Sequence, residues 1–161
     1  MNYKTTLKDI DALLKTKQKV MVIVRGVPGS GKSTFAKEIC GNAYEVNDGY
    51  WFPYHYEADM YYYDKYGKYK WSAEESKNAH KYCQLKTEAA MLLDRPVVVS
   101  NTFIKEWEFN EYIKLCVKYN YSYVVIRMTG NFSSIHNVPE ETIERMKNNM
   151  EDISNEWIIK Y

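Results

Sequence analysis

The run Gly26-Val27-Pro28-Gly29-Ser30-Gly31-Lys32-Ser33-Thr34 constrains this chain more than any other stretch. It fits G-x-x-x-x-G-K-[ST], a loop pattern that wraps phosphate groups. Glycines at 26, 29 and 31 allow backbone turns that a Cβ would block, so successive N–H groups can point inward around an anion. Before the loop, Lys19 to Val24 is a short apolar, β-branched run, as a buried parallel strand requires. After it, Phe35 and Ile39, then Ala36 and Cys40, stand four apart, a helical spacing. A helix opening at Lys32 adds free N–H groups and the positive end of its dipole. Together these features predict a site for a nucleoside triphosphate, ATP with Mg²⁺. Gly26, Pro28, Gly29, Ser30, Gly31 and Thr34 would line the loop, Lys32 would reach the β- and γ-phosphates, and the Ser33 hydroxyl would ligate Mg²⁺.

A chain of 161 residues is long enough to bury a proper core and predicts a single domain over 1–161. Apolar residues at 45% and charged ones at 27% make an ordinary globular composition. A formal net charge of +1 gives no global pull toward nucleic acid or membrane, so any such binding must be local. Cys40, Cys83 and Cys116 are odd in number and lack C-x-x-C spacing, which predicts reduced thiols in the cytoplasm. No apolar run approaches membrane-spanning length and no signal-peptide core is found, so no membrane partner is expected. The unusual number is 16 tyrosines, half of them between Tyr50 and Tyr69.

Leu7, Ile10, Leu13 and Leu14 predict a helix over 5–17, with Thr5 or Thr6 as its cap. Gly41-Asn42 reads as a helix stop, and Tyr44 to Asn47 as a brief second strand ending at Asp48-Gly49. A carboxylate there would be either a base or metal-shell residue in the ligand crevice, or part of a plain Asp-Gly turn. Residues 50–71 have no clean period and predict an irregular, partly helical insertion. Its aromatics and lysines could stack bases, but packing of tyrosines in a satellite core is the favoured reading. Ser72 and Glu75 predict a helix start, with the helix running to Leu93. Arg95 to Thr102 is the third strand. Its end, where a carboxylate commonly helps to hold Mg²⁺, carries Ser100 and Asn101. A helix over Glu106–Lys118, a fourth strand over Tyr121–Met128, a polar Thr129–Val138 stretch and a last helix opening at Pro139 complete the chain. Strands and helices alternate, so the fold expected is an α/β three-layer sandwich, a mostly parallel sheet between helices, of the P-loop NTPase type.

Several segments together resemble the P-loop kinase branch known as the AAA-type zeta-toxin/polynucleotide-kinase group, which includes the kinase domain of bacteriophage polynucleotide 5′-kinases. They are the glycine loop, Val46-Asn47-Asp48-Gly49-Tyr50, Ala79-His80, Pro96 to Thr102, Trp107-Glu108 and His136 to Met146. They keep that group's order and rough spacing from about Val20 to Met150. The resemblance implies that Asp48 is the general base on an acceptor hydroxyl and that Asn101 and Thr102 line the acceptor side. It also implies a catalytic role for Arg145. Tyr50 and Trp51 would stack an acceptor base. Three positions depart from the group: Gly49 where a second acid often follows, Trp51 in place of an arginine that holds the acceptor's phosphate, and no arginine in Phe132 to Asn137. The expected activity is an ATP-dependent kinase acting on a hydroxyl of a polynucleotide or nucleoside, with single-stranded nucleic acid or a nucleoside as acceptor. A small-metabolite kinase and a nucleotide-binding interaction module with little turnover are the alternatives.

Overall fold

The computed structural model describes residues 1–16, 19–46, 53–133 and 136–160. Its centre is β1 (Val20–Arg25), buried along its whole length because it is covered on both faces. Strand alternation splits its side chains between the two sides of the sheet. Val20, Val22 and Val24 face α1 (Tyr3–Thr16) and α2 (Lys32–Val46), packing with Leu7, Ile10, Leu14, Phe35 and Ile39. Met21 and Ile23 face the other way, toward Ala79, Cys83, Ala90 and Met91 of α3 (Ser76–Leu92) and Tyr112 and Cys116 of α4 (Asn110–Tyr119).

The other strands are β2 (Tyr54–Tyr56), β3 (Val97–Asn101), β4 (Ser122–Met128) and β5 (Trp157–Ile159), and α5 (Glu140–Asn149) lies between the last two. The sheet order is β2-β3-β1-β4-β5, with every pairing parallel. In register, Arg25 pairs with Asn101 on one side and with Arg127 on the other. The C-terminal ends of β1, β3 and β4 therefore form one rim, and the glycine loop rises from its middle. This is the three-layer α/β sandwich of P-loop proteins, with a sheet that is parallel throughout.

The structure changes four sequence-based expectations. Gly41-Asn42 does not stop the second helix, which continues to Val46, so residues 44–46 of the strand expected over 44–47 are helical, and Asn47 lies outside the described residues. Gly41 is absent from the residues with positive φ, and a Cβ built on it meets nothing within 4 Å. It occupies an ordinary helical position, where glycine costs about 1 kcal/mol relative to alanine, and the buried stripe of Phe35, Ala36 and Ile39 anchors the turns before it. The second strand instead lies inside the tyrosine-rich segment, at Tyr54–Tyr56. Asn2, not Thr5 or Thr6, caps the first helix, its Oδ1 accepting from the Thr5 N–H at 2.8 Å. Ser72 makes no side-chain cap, and a 3-10 turn over Ala73–Glu75 leads into α3. The short strand β5 was not anticipated.

The remaining tyrosines bear out the packing reading. Tyr62 is buried in the larger core cluster, with Tyr54, Tyr56, Tyr61 and Tyr69 against it. A turn over 64–68, closed by Asp64 Oδ1 on the N–H groups of Tyr66 and Lys68, brings Tyr63 back to Tyr69. Of the described tyrosines in this segment, Tyr66 is strongly exposed, at 82%, and Tyr63 is exposed at 44%. Among the described residues, no helix is long and apolar enough to cross a membrane.

Candidate nucleotide and acceptor site

The glycine loop is held from both sides. Gly26 N–H donates to the Thr102 carbonyl at 3.1 Å, tying the loop to the end of β3. Gly130 and Phe132, beyond β4, donate their N–H groups to the carbonyls of Ser30 and Gly29 at 3.1 and 2.8 Å. The first half of the polar 129–138 stretch is thus part of the loop's wall. Gly26 has φ of 154°, and a Cβ there would press on Ser30 Oγ and come within 2.8 Å of the Met128 carbonyl. Only glycine fits that corner without strain. Ser30 Oγ is buried and has no hydrogen-bond partner among the described residues.

Beneath the loop stands Arg25, fully buried. Its Nε donates to the Phe103 carbonyl, Nη2 to the Ile104 carbonyl, and Nη1 to the Glu151 carbonyl and to Glu156 Oε2, each at 2.8–2.9 Å. Glu156 Oε1 accepts in turn from the Ile153 N–H at 3.2 Å and lies 3.5 Å from Arg127. One guanidinium therefore fastens the end of β1 to the chain after β3 and to the connection before β5. Arg127 is committed here, bound to Asp152 Oδ1 at 2.7 Å. This cluster carried no motif in the sequence.

Lys32 opens α2 and turns its Nζ back onto the Val27 carbonyl at 3.0 Å. Burial pulls its pKa down to about 8, against the opposing pull of Glu57 and Asp59. Ser33 Oγ donates to Glu57 Oε2 at 2.9 Å. Burial raises the Glu57 pKa above the usual carboxylate value, opposed first by the hydrogen bond from Ser33. Next to it, His55 Nε2 is 2.7 Å from Ser100 Oγ and 3.5 Å from Glu57 Oε1. Burial, then Lys37, lowers the His55 pKa to about 4. The ring is therefore neutral near pH 7, and its contact with Glu57 is polar rather than an ion pair.

Asp59 lies two residues beyond Glu57, in the 3-10 turn Ala58–Tyr62 that follows β2. Its Oδ1 accepts from Tyr69 OH at 3.1 Å, and its Oδ2 is 3.6 Å from His136 Nε2. The His136 ring stacks on Tyr69, centroids 3.9 Å apart and planes 17° from parallel. The Asp59 side chain keeps 45% of its exposure, so it can meet a molecule from solvent. The sequence does not single out His55, Glu57 or Asp59, because its helix-stop and strand signals place the second strand ten residues too early; Tyr69 is part of the aromatic segment but carries no role of its own there. The signal was there in His55-Tyr56-Glu57-Ala58-Asp59, two carboxylates at alternate positions after a short β-prone run.

Of the residues expected at the site, Lys32, Ser33 and the loop glycines come together as described. Pro28 is half-buried and Thr34 exposed on the first turn of α2. Asn101 is buried: Oδ1 accepts from the Ala58 N–H at 2.8 Å and Nδ2 points to Cys83 Sγ at 3.7 Å. Its amide thus fixes the corner between the two carboxylates. Thr102 contributes its carbonyl to Gly26. Arg145 is exposed on α5, with no hydrogen bond or ion pair to another described residue. Asp48, Tyr50 and Trp51 lie outside the described residues.

The donor set suits a polyphosphate and a hard cation. A buried ammonium whose one hydrogen-bond acceptor among the described residues is a carbonyl has donors left for phosphate oxygens, and a hydroxyl beside a carboxylate offers the oxygen ligands that Mg²⁺ prefers.

Comparison with known proteins agrees with this architecture. A model of the AAA domain family (AAA_33) matches residues 21–131. NEDD4-binding protein 2 from Homo sapiens is 29% identical over 138 residues, which is 79% of this chain and 7% of that protein. The chain therefore spans only a small part of that relative's length. Kti12 from Chaetomium thermophilum, solved in complex with ADP-AlF3, superposes with a TM-score of 0.63 at 12% identity, over 88% of this chain and 89% of that one. A chain of the Pnkp1/Rnl/Hen1 RNA repair complex gives a TM-score of 0.57 at 17% identity, over 81% of this chain and 43% of that one. At these identities the likeness to solved structures is one of fold.

Proposed function

The chain belongs to the AAA domain family, and on that premise we propose that it is an ATP- and Mg²⁺-dependent phosphotransferase acting on a hydroxyl of a polynucleotide or nucleoside. The observation that carries this reading is the pair of carboxylates at the end of β2, close enough to Lys32 to act on its charge. The likeness of fold to a chain of an RNA repair complex supports the polynucleotide half of the proposal.

In the working cycle, Lys32 leaves the Val27 carbonyl and pairs with the β- and γ-phosphate oxygens of ATP. The exchange is favourable because a buried ammonium gains charged acceptors. Mg²⁺, when bound, would be held at the Ser33 hydroxyl and would neutralise charge on the phosphates. Asp59 accepts the proton of the acceptor hydroxyl as the phosphoryl group arrives. Tyr69 OH donates to Asp59 Oδ1 and fixes the carboxylate's direction, leaving Oδ2 and its neighbour His136 toward the acceptor. Asp59 is proposed as the base on its place just beyond the second strand, which ends before Glu57; Asp48, the base that the resemblance implies, lies outside the described residues and stays the rival. Arg145, exposed and unpaired among the described residues, is the cation proposed to meet charge on the transferring group. Tyr50 and Trp51 are proposed as stacking surfaces for the acceptor base.

The test is transfer of labelled γ-phosphate from ATP to 5′-hydroxyl DNA and RNA oligonucleotides, nucleosides, small polyols and water. Wild type runs beside Lys32→Ala, Asp59→Asn, Asp48→Asn and Arg145→Ala. Label on an oligonucleotide, lost in Lys32→Ala and lowered at least 100-fold in Asp59→Asn, supports the reading. Loss with Asp48→Asn and not with Asp59→Asn moves the base to Asp48. Label only on a polyol identifies a small-metabolite kinase, a reading that the near-neutral charge and Trp51 favour. Label nowhere, with ATP bound, identifies a binding module.

A further inference from the structure

Strand β3 ends in Ser100 and Asn101, so it supplies no carboxylate to the glycine loop. The neighbouring strand does. Tyr56 of β2 pairs with Val99 of β3, so the next residues outward are Glu57 and Ser100, side by side on the same rim. Glu57 reaches across to Ser33, whose hydroxyl donates to Oε2 at 2.9 Å. His55 joins the two strand ends, its Nε2 lying 2.7 Å from Ser100 Oγ and 3.5 Å from Glu57 Oε1. The Asn101 amide holds the Ala58 N–H, which fixes the backbone immediately after Glu57.

The Glu57 side chain retains only 15% of its exposure. Among the described residues no lysine or arginine lies within ion-pair distance of it, and Lys32 is turned onto a carbonyl. A carboxylate so withdrawn from water, beside a hydroxyl and with Lys32 and Lys37 near enough to act on its charge but not paired with it, is a costly arrangement for a purely structural residue. We infer that Glu57, delivered from β2, is the acidic ligand or water-holding group for the divalent cation at Ser33, in the place where a β3 carboxylate would otherwise act. The inference rests on the proposal above that the loop binds Mg²⁺ with a nucleotide. On this assignment Ser100 is not a lost function. Its hydroxyl holds the histidine that aims the relocated acid.

The experiment measures Mn²⁺ binding to the protein–ADP complex by electron paramagnetic resonance, and ADP affinity separately in EDTA, for wild type, Glu57→Gln and Glu57→Asp. Folding is checked by circular dichroism. The expected result is Mn²⁺ affinity at least tenfold weaker in Glu57→Gln, intermediate in Glu57→Asp, and metal-free ADP affinity within about threefold of wild type in both. Should Glu57→Gln fail to fold, Glu57→Asp carries the comparison alone, since it keeps the charge and withdraws it from Ser33. Unchanged Mn²⁺ affinity in a folded variant overturns the inference. Equal loss of ADP affinity with and without metal also overturns it, because that is the signature of a residue that only shapes the loop. Failure of wild type to bind ADP under either condition defeats the nucleotide reading instead.

Discussion

Replacing Glu156 with glutamine tests the physical basis of the loop's rigidity. Arg25 and Glu156 form an ion pair at 2.8 Å, with side-chain exposures of 0% and 2%. Glutamine keeps the shape and removes the charge. It also sets a donor against a donor: whichever way the amide turns, its NH₂ meets either the Arg25 guanidinium or the Ile153 N–H, both of which now donate to Glu156. Removing one partner of a buried pair costs about 3–5 kcal/mol. The lower end applies, because Arg25 keeps the carbonyls of Phe103, Ile104 and Glu151. At roughly 2–4 °C per kcal/mol for a chain of this size, a loss of about 3 kcal/mol lowers the Tm by roughly 6–12 °C. Urea unfolding should show a lower midpoint at unchanged m. Arg25→Met should cost more, since it strips those three carbonyls of their donor as well as unpairing Glu156. The double variant should then be less destabilised than the sum of the two, by at least about 1 kcal/mol. A Glu156→Gln protein within about 1 kcal/mol of wild type would refute the claim that this buried charge holds the end of β1.

Three further outcomes follow from the geometry. Gly26→Ala should fold poorly or lose ADP binding at least tenfold by calorimetry, because its Cβ would come within 2.8 Å of the Met128 carbonyl at a φ of 154°; wild-type affinity would mean that the corner relaxes freely. Asn101→Ala leaves the buried Ala58 N–H unsatisfied, which should cost about 1–3 kcal/mol in urea unfolding and reduce transfer more than Thr102→Ala does. Burial pushes the Cys116 thiol, only 2% exposed, up from 9.0 to about 12. In the unfolded chain this thiol ionises near 9, so between pH 9 and 12 the folded state binds more protons and stability falls as pH rises, by about 1 kcal/mol per pH unit. Below pH 9 the thiol adds no pH dependence. Cys116→Ala should flatten that alkaline limb in unfolding curves measured from pH 8 to 10.5, and an unchanged slope would refute the assignment.

What could be read from the sequence is what local spacing determines. The glycine loop, the buried runs Val20–Val24 and Val97–Val99, and the amphipathic stripe of Leu7, Ile10 and Leu14 each carry their structure in neighbours a few residues apart. The carboxylate rim after β2 does not. Gly41-Asn42 has the composition of a helix stop, but a glycine ends a helix only where the backbone turns to positive φ, and Gly41 stays helical. Continuation of α2 to Val46 carries the second strand from 44–47 to Tyr54–Tyr56, and with it the rim position that a carboxylate occupies. A strand of three residues has too few positions to show a period, and it sits among tyrosines whose packing role hid the two acids that follow. The Arg25 clamp was unreadable for a different reason: its partners Phe103, Ile104, Glu151 and Glu156 lie 78 to 131 residues away. The two halves of the site therefore differ in kind. The phosphate half is a local motif that the chain carries as a unit. The carboxylate half is assembled by parallel pairing of β2 on β3, so an acid on either strand end can stand near Ser33. On the proposal that Glu57 serves a cation at Ser33, the Ser100-Asn101 end of β3 does not mean the loss of a metal site, because the neighbouring strand supplies the acid.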